Sequence, residues 1–180
     1  MTRLLHLILL GLIGAVIVHI AILLLVPRYS DKNAWSHIET LGDAYRFYTL
    51  DQKSGVLSNP DPLMRQAVCR FDLADGPVQI ATRGAPPFWS LSVYAPNGDN
   101  LYSLNDNVST EQALDLIIAD SVGMAGLRAE GRQNDSRTIL VEQGIGEGAI
   151  ILRAFVPDSS WQIEVQRFFD EAHCALYEAG

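Results

Sequence analysis

Cys69 and Cys174 are the most reactive pair of side chains in the sequence, and their spacing limits what they can do. They lie too far apart for a C-x-x-C redox or zinc motif, and no histidine cluster joins them. Two readings stay open: a structural disulfide of an oxidising compartment, or two separate buried thiols packed as small hydrophobes. A bond would close a loop of about 100 residues, worth up to roughly 4.7 kcal/mol in the chain-entropy model, provided the Cα atoms come within about 7 Å. Asp99, Asn105 and Asp106 fall near one end of an expected hairpin, together with Tyr102. Carboxylates that meet in a cleft can divide general-acid and general-base roles, but turn and cap chemistry explains the same residues more cheaply.

Arg153 lies mid-strand between Leu152 and Ala154, where a charge is unusual. It either pairs with a core carboxylate or faces solvent on an open sheet. With Trp89, Tyr94 and Tyr102 it makes up the candidate ligand or partner contacts at the sheet end. Strand alternation puts Trp89 and Tyr94 on opposite faces, so at most one of them lines a given side. His37 and Glu39, like Glu171 and His173, sit two apart and would point to different faces of a helix, so neither forms a metal pair. Gly144 to Gly148 can cradle an anion through backbone amides, but no lysine or helix start follows, and a hairpin loop is the simpler reading. No nucleophile elbow, P-loop, dinucleotide fingerprint, HExxH or EF-hand loop occurs. No catalytic residue, cofactor or metal site is assigned, and the chain leans away from enzyme chemistry.

These groups must be positioned by a chain that begins with an apolar run from Leu4 to Val26, broken only by His6 and His19 and followed by Pro27 and Arg28. Roughly 20 apolar residues span a bilayer as a helix. A secretory signal core is only about 7 to 15 residues long and ends in a small-residue cleavage site, whereas Ile20 to Val26 is bulky. The run therefore predicts an uncleaved signal anchor, crossing the bilayer once through residues 4–26. His19 lies about 6 Å from mid-span by helix rise and either contacts a partner helix or is a tolerated neutral imidazole. Arg3 on one side and Arg28 and Lys32 on the other nearly balance, so flanking charge does not fix orientation. A short leading tail favours an exported C-terminal portion.

The remaining chain, residues 31–180 after an anchor region of 1–30, has the length of a single domain. The whole chain's net charge of −8 argues against nucleic acid, which needs a clustered basic face. Asn33 to Leu50 reads as a helix capped by Asn33, with Trp35, Ile38, Leu41, Tyr45 and Tyr48 on one stripe, and Ser54 to Pro62 as a loop. Gln66 to Leu73 and Val78 to Thr82 read as strands around the turn Ala74 to Pro77, and Phe88 to Asn105 as a hairpin about Asn97-Gly98. Ala113 to Ala119 is read as a strand, with a helix capped at Ser109 or Thr110 as the alternative. Arg137 to Gln143 and Ala149 to Val156 read as an antiparallel pair. A terminal helix from Pro157 carries Trp161, Val165, Phe168, Ala172, Leu176 and Cys174. The expected fold is α+β, mainly antiparallel β as a sheet or sandwich of about seven strands, flanked by two helices and preceded by one transmembrane helix.

Asp72-Leu73-Ala74-Asp75-Gly76-Pro77-Val78, Phe88-Trp89-Ser90-Leu91-Ser92-Val93-Tyr94, Leu101 to Asp106 and Ile151 to Pro157, in that order, resemble the short membrane-anchored bacterial members of domain-of-unknown-function family 1254. The resemblance covers most of Arg65 to Val165. It implies a β-rich domain, a bacterial inner-membrane location and pairing with a sister protein of family 1214, and it implies no reaction. The expectation is a non-catalytic, single-pass cell-envelope protein with a periplasmic domain that binds a partner. The alternative is a periplasmic small-ligand binder or enzyme with a pocket at the sheet end.

Overall fold

The computed structural model describes residues 2–51, 54–56, 61–108 and 113–178. The apolar run and the helix expected to start at Asn33 form one element, α1 (Thr2–Thr40). Its stretch Thr2–Val26 is long and apolar enough to cross a membrane, and none of it is buried within the protein. The expected boundary at residue 30 falls inside this helix. The last turns of α1 lay Trp35, Ile38 and Leu41 against Leu50, Val68 and Ala149.

The helix stops at Thr40 rather than reaching Leu50. Gly42 has φ +149°, and a Cβ there would lie 2.5 Å from Cζ of Tyr48, so only glycine fits the turn. Tyr45, at φ 62°, donates its backbone N–H to the Arg70 carbonyl at 2.8 Å. The chain thus doubles back as strand β1 (Phe47–Thr49). Tyr45 and Tyr48 leave the helical stripe because this sheet pairing overrides their helical spacing. Of the expected loop from Ser54 to Pro62, residues 57–60 lie outside the described residues, as do the alternative caps Ser109 and Thr110.

Beyond β1 the strands are β2 (Met64–Asp72), β3 (Val78–Arg83), β4 (Trp89–Tyr94), β5 (Asn100–Asn105), β6 (Ala113–Ala119), β7 (Ile139–Glu142), β8 (Glu147–Phe155) and β9 (His173–Leu176). They form a five-stranded antiparallel sheet, β1-β2-β8-β4-β5, and a four-stranded sheet, β7-β6-β3-β9. The fold is α+β with antiparallel pairing dominant, as expected. The hairpin is β4–β5, with Leu91 opposite Leu104, and Ala113 to Ala119 is a strand.

The segments Arg137 to Gln143 and Ala149 to Val156 do not pair with each other. β7 runs parallel to β6, whereas β8 sits between β2 and β4. A parallel neighbour requires a crossover, and helix α2 (Ser121–Ala129), which the sequence reading lacks, supplies it. Asp120 caps α2 by accepting from the Gly123 N–H at 2.7 Å. Two glycines in nine residues hide that helix from propensity. The Gly144 to Gly148 connection is therefore a passage between sheets rather than a hairpin loop.

The terminal helix is short. α3 (Gln162–Asp170) buries Val165 and Phe168, and Thr82 Oγ1 donates to the Phe168 carbonyl at 2.7 Å. After Glu171 the chain extends into β9, where Cys174 stands opposite Ile80. Ala172, Cys174 and Leu176 therefore leave the expected helix, because four residues of ladder bonding to β3 complete the sheet edge. Side chains of both sheets share one core, including Phe71, Leu91, Ile150 and Leu152 from one and Val78, Ile80, Leu116 and Ile118 from the other. Cys69 on β2 and Cys174 on β9 are joined by a disulfide within it, Cα to Cα 6.5 Å.

Candidate functional site

The four expected contact residues separate onto two faces of the five-stranded sheet. Trp89, 3% exposed, points into the core and packs on Phe168 with ring centroids 5.9 Å apart. Tyr102 packs against the same core, in register with Val93. Tyr94 and Arg153 lie on the opposite face. There Arg153 donates through Nε to Gln66 Oε1 at 3.3 Å and reaches the Tyr94 hydroxyl at 3.5 Å. The guanidinium hydrogen bond, partly opposed by desolvation, holds the Tyr94 phenol below its ordinary range. Arg153 thus has neutral partners on an open face rather than a core carboxylate.

The acidic residues of the hairpin do not meet either. Asp99 lies in the turn, where Asn97 Nδ2 donates to it at 2.8 Å. Asn105 lies at the far end of β5, about 20 Å away by strand rise, and accepts from the Asn107 N–H at 3.2 Å. Gly146 uses its carbonyl to accept from the Leu73 N–H at 2.9 Å. A Cβ on Gly148 would fall 2.5 Å from Cζ of Phe71, so that glycine is needed by packing. His19 is an exposed position of the membrane-length stretch. Among the described residues no group of three or more His, Cys, Asp or Glu is placed to hold a metal.

The side chains that converge lie on the outer face of the four-stranded sheet. The alternation that sends Ile80, Leu114 and Leu116 inward sends Gln79, Ala81, Arg83, Ala113 and Asp115 outward. Half of this face is covered by α2, through Ile117, Ala119, Met124 and Leu127. The other half floors an open cleft of about 800 Å³, with Arg132, Asp135, Arg137, Glu171 and His173 around it. Glu171 and His173, expected on a helix, meet here because one caps α3 and the other begins β9.

The floor is held by neutral donors. Asp115 accepts from Gln79 Nε2 at 2.7 Å through one oxygen and from Thr138 Oγ1 at 2.7 Å through the other. The rim is held by aromatic and ionic contacts. Arg132 donates through Nε to the Tyr177 hydroxyl at 2.7 Å and stacks 5.2 Å from its ring centroid. Tyr177 in turn donates to Glu130 at 3.1 Å. That fixed partner raises the Arg132 pKa further. The Arg137 backbone N–H, then its side chain, hold Asp135 below the usual carboxylate range, with an exposed ion pair at 3.4 Å. The Arg132 guanidinium, held through Nε, suits charge-assisted recognition of carboxylates or carbonyls. The Thr82 hydroxyl is spent on the Phe168 carbonyl, while the Thr138 hydroxyl is held by the Asp115 carboxylate. The sequence reading passed over Asp115 and Arg132; the signal for Asp115 was a lone acid inside the alternating segment Ala113 to Ala119.

No protein-family model and no curated protein matches the chain. Among solved structures it is similar to the VPA0106 protein from Vibrio parahaemolyticus, with a TM-score of 0.59 and 10% identity over 82% of this chain and 35% of that one. It also matches an uncharacterized protein from Burkholderia cenocepacia, with a TM-score of 0.46 and 14% identity over 72% of this chain and 33% of that one. The chain thus spans about a third of the length of each, and the likeness to VPA0106 is one of fold.

Proposed function

We propose that this chain is a non-catalytic, membrane-anchored protein of the bacterial cell envelope that holds a protein partner in the cleft of its four-stranded sheet. The observation that carries the reading is the cleft itself. Arg132 is held on Tyr177, and Asp115 is satisfied by the neutral donors Gln79 and Thr138. Such a surface is built to bind. The likeness to VPA0106, in which the fold occupies 35% of a longer chain, supports a domain that works alongside further protein. The resemblance to family 1254 points the same way, toward a sister chain of family 1214. The disulfide supports an oxidising, periplasmic location for the domain, and Thr2–Val26 supplies the single crossing, with His19 as an added contact to a partner helix. Affinity purification from gently solubilised membranes should recover one stoichiometric partner, lost when Arg132 and Arg137 are both replaced by Gln. A clean monomer in several detergents overturns the reading.

One observation favours a second reading. About 800 Å³ is within the range of small-molecule sites, roughly 300 to 1,000 Å³, as a periplasmic ligand binder requires. In that case the purified monomer gains thermal stability from a small-molecule extract of the envelope, and the Arg132→Gln variant does not.

A further inference from the structure

α1 and β1 fix which end of the domain faces the anchor. The helix ends next to β2 at Arg70, whose Nη2 donates to the Gly42 carbonyl at 3.4 Å. β1 then runs back along β2 from Cys69 to Ala67, and Leu50 donates to the Gln66 carbonyl at 2.8 Å. Beyond that strand, Gly55 returns to the side of His37. The last turns of α1 are therefore antiparallel to β1. Followed toward its N-terminus, the helix leaves the domain past the Gln66 and Met64 end of β2.

That end exposes large apolar side chains among polar ones. Leu63 and Phe88 flank the tip of β8, accepting from the Val156 and Phe155 N–H groups at 2.7 and 2.9 Å. α3 closes the same end: Arg65 donates to Gln166 and lies beside Ile163, with Trp161 at the helix start. Leu63, Phe88, Trp161 and Ile163 are 47, 38, 37 and 75% exposed. Of the large apolar side chains exposed outside α1 among the described residues, these make up the majority; the others are Val108, Val122 and Leu176.

We propose that this face, centred on Trp161 and Ile163, rests in the interfacial zone of the bilayer that holds the anchor, as a second membrane contact. The inference rests on reading Thr2–Val26 as the membrane span. Eleven residues of helix from Val26 to His37 rise about 16 Å. Leu63, in the turn that leads into β2, is three residues, about 10 Å at strand rise, back toward the anchor from Gln66. Taking His37 as level with Gln66, Leu63 reaches roughly 6 Å from the hydrocarbon edge, inside a polar layer about 5 to 7 Å thick per leaflet. Tryptophan is suited to that depth. The local charges are mixed, with Arg167 paired to Glu164 at 3.3 Å and Asp170 accepting from Gln166 at 2.6 Å. The contact is therefore apolar insertion rather than attraction to anionic lipid.

The test uses the full chain in phosphatidylcholine vesicles carrying brominated lipid, with tryptophan emission as readout. Bromines near the headgroups should quench a component present in the wild type and missing from Trp161→Phe. Ile163→Asp, a change at an exposed position, should reduce that component. A tryptophan placed in the span by Leu12→Trp should be quenched by bromines at the chain ends, which tests the anchor separately. Quenching of the Leu12→Trp position without any Trp161 component overturns the docking and leaves the anchor standing. Quenching of neither overturns the anchor and the docking with it. Emission from Trp161 shielded from brominated lipid and from aqueous acrylamide alike means another protein covers the face, and overturns the docking.

Discussion

Cys69 in the five-stranded sheet and Cys174 in the four-stranded sheet are bonded across the core that the two sheets share, 105 residues apart in sequence. The link fastens β9, an edge strand of four residues, to β2, a nine-residue strand between β1 and β8. Closing so long a loop stabilises mainly by restricting the unfolded chain. The double variant Cys69→Ala, Cys174→Ala should lose about 2 to 4 kcal/mol, read as a lower urea midpoint, with β9 the first segment to lose amide-exchange protection. An unchanged midpoint would mean that the bond adds nothing to packing already present.

Two tyrosines should titrate in opposite directions. Burial, followed by the hydrogen bond to Asp75, pushes the Tyr45 phenol up to about 12. Its contribution to stability is full below the unfolded value of 10.0 and is lost as the pH climbs toward about 12. Tyr45→Phe should remove that part of the alkaline slope in pH-dependent urea unfolding. Tyr94, held below its ordinary range first by Arg153, contributes stability that grows as the pH rises through its lowered value. Absorbance titration should find one early-ionising tyrosine, and Arg153→Gln should return it to normal.

Phe168 and Ile163 lie five residues apart around α3 with opposite surroundings, 1% and 75% exposed. Phe168→Ala should cost about 3 to 5 kcal/mol, because the cavity opens beneath Trp89. Ile163→Ala should stay within about 0.5 kcal/mol in detergent. Equal costs would contradict the placement of α3 as the closure of the core.

The sequence made legible what short-range physics decides. Alternation gave β4, the turn at Asn97-Gly98 gave its pairing with β5, and the apolar run gave the membrane-length part of α1. It also separated Trp89 from Tyr94 correctly. What it missed depends on distant pairing. Tyr45 and Tyr48 keep helical spacing but are drawn to β2, Tyr45 by its bond to Arg70 ahead of β1 and Tyr48 within β1 opposite Val68. Cys174 continues an apolar stripe but is drawn into β9 by Ile80. The cleft was hidden for the same reason: Asp115, Arg132 and His173 become neighbours only through a parallel crossover and an edge strand added last. Arg153 stood out as a mid-strand charge, yet the register gives it Gln66 and Tyr94 instead of a pocket.

The proposed seat of a partner chain is the cleft on the four-stranded sheet. A photo-crosslinking residue at Ala113, on the cleft, can be compared in intact cells with the same residue at Ser90, on the outer face of the five-stranded sheet beside Arg153. A partner in the cleft gives a single discrete adduct from position 113, lost when Arg132 and Arg137 are replaced by Gln, and no adduct from position 90. An adduct from position 90 alone, or none from position 113 while the protein remains folded in the membrane, would contradict it.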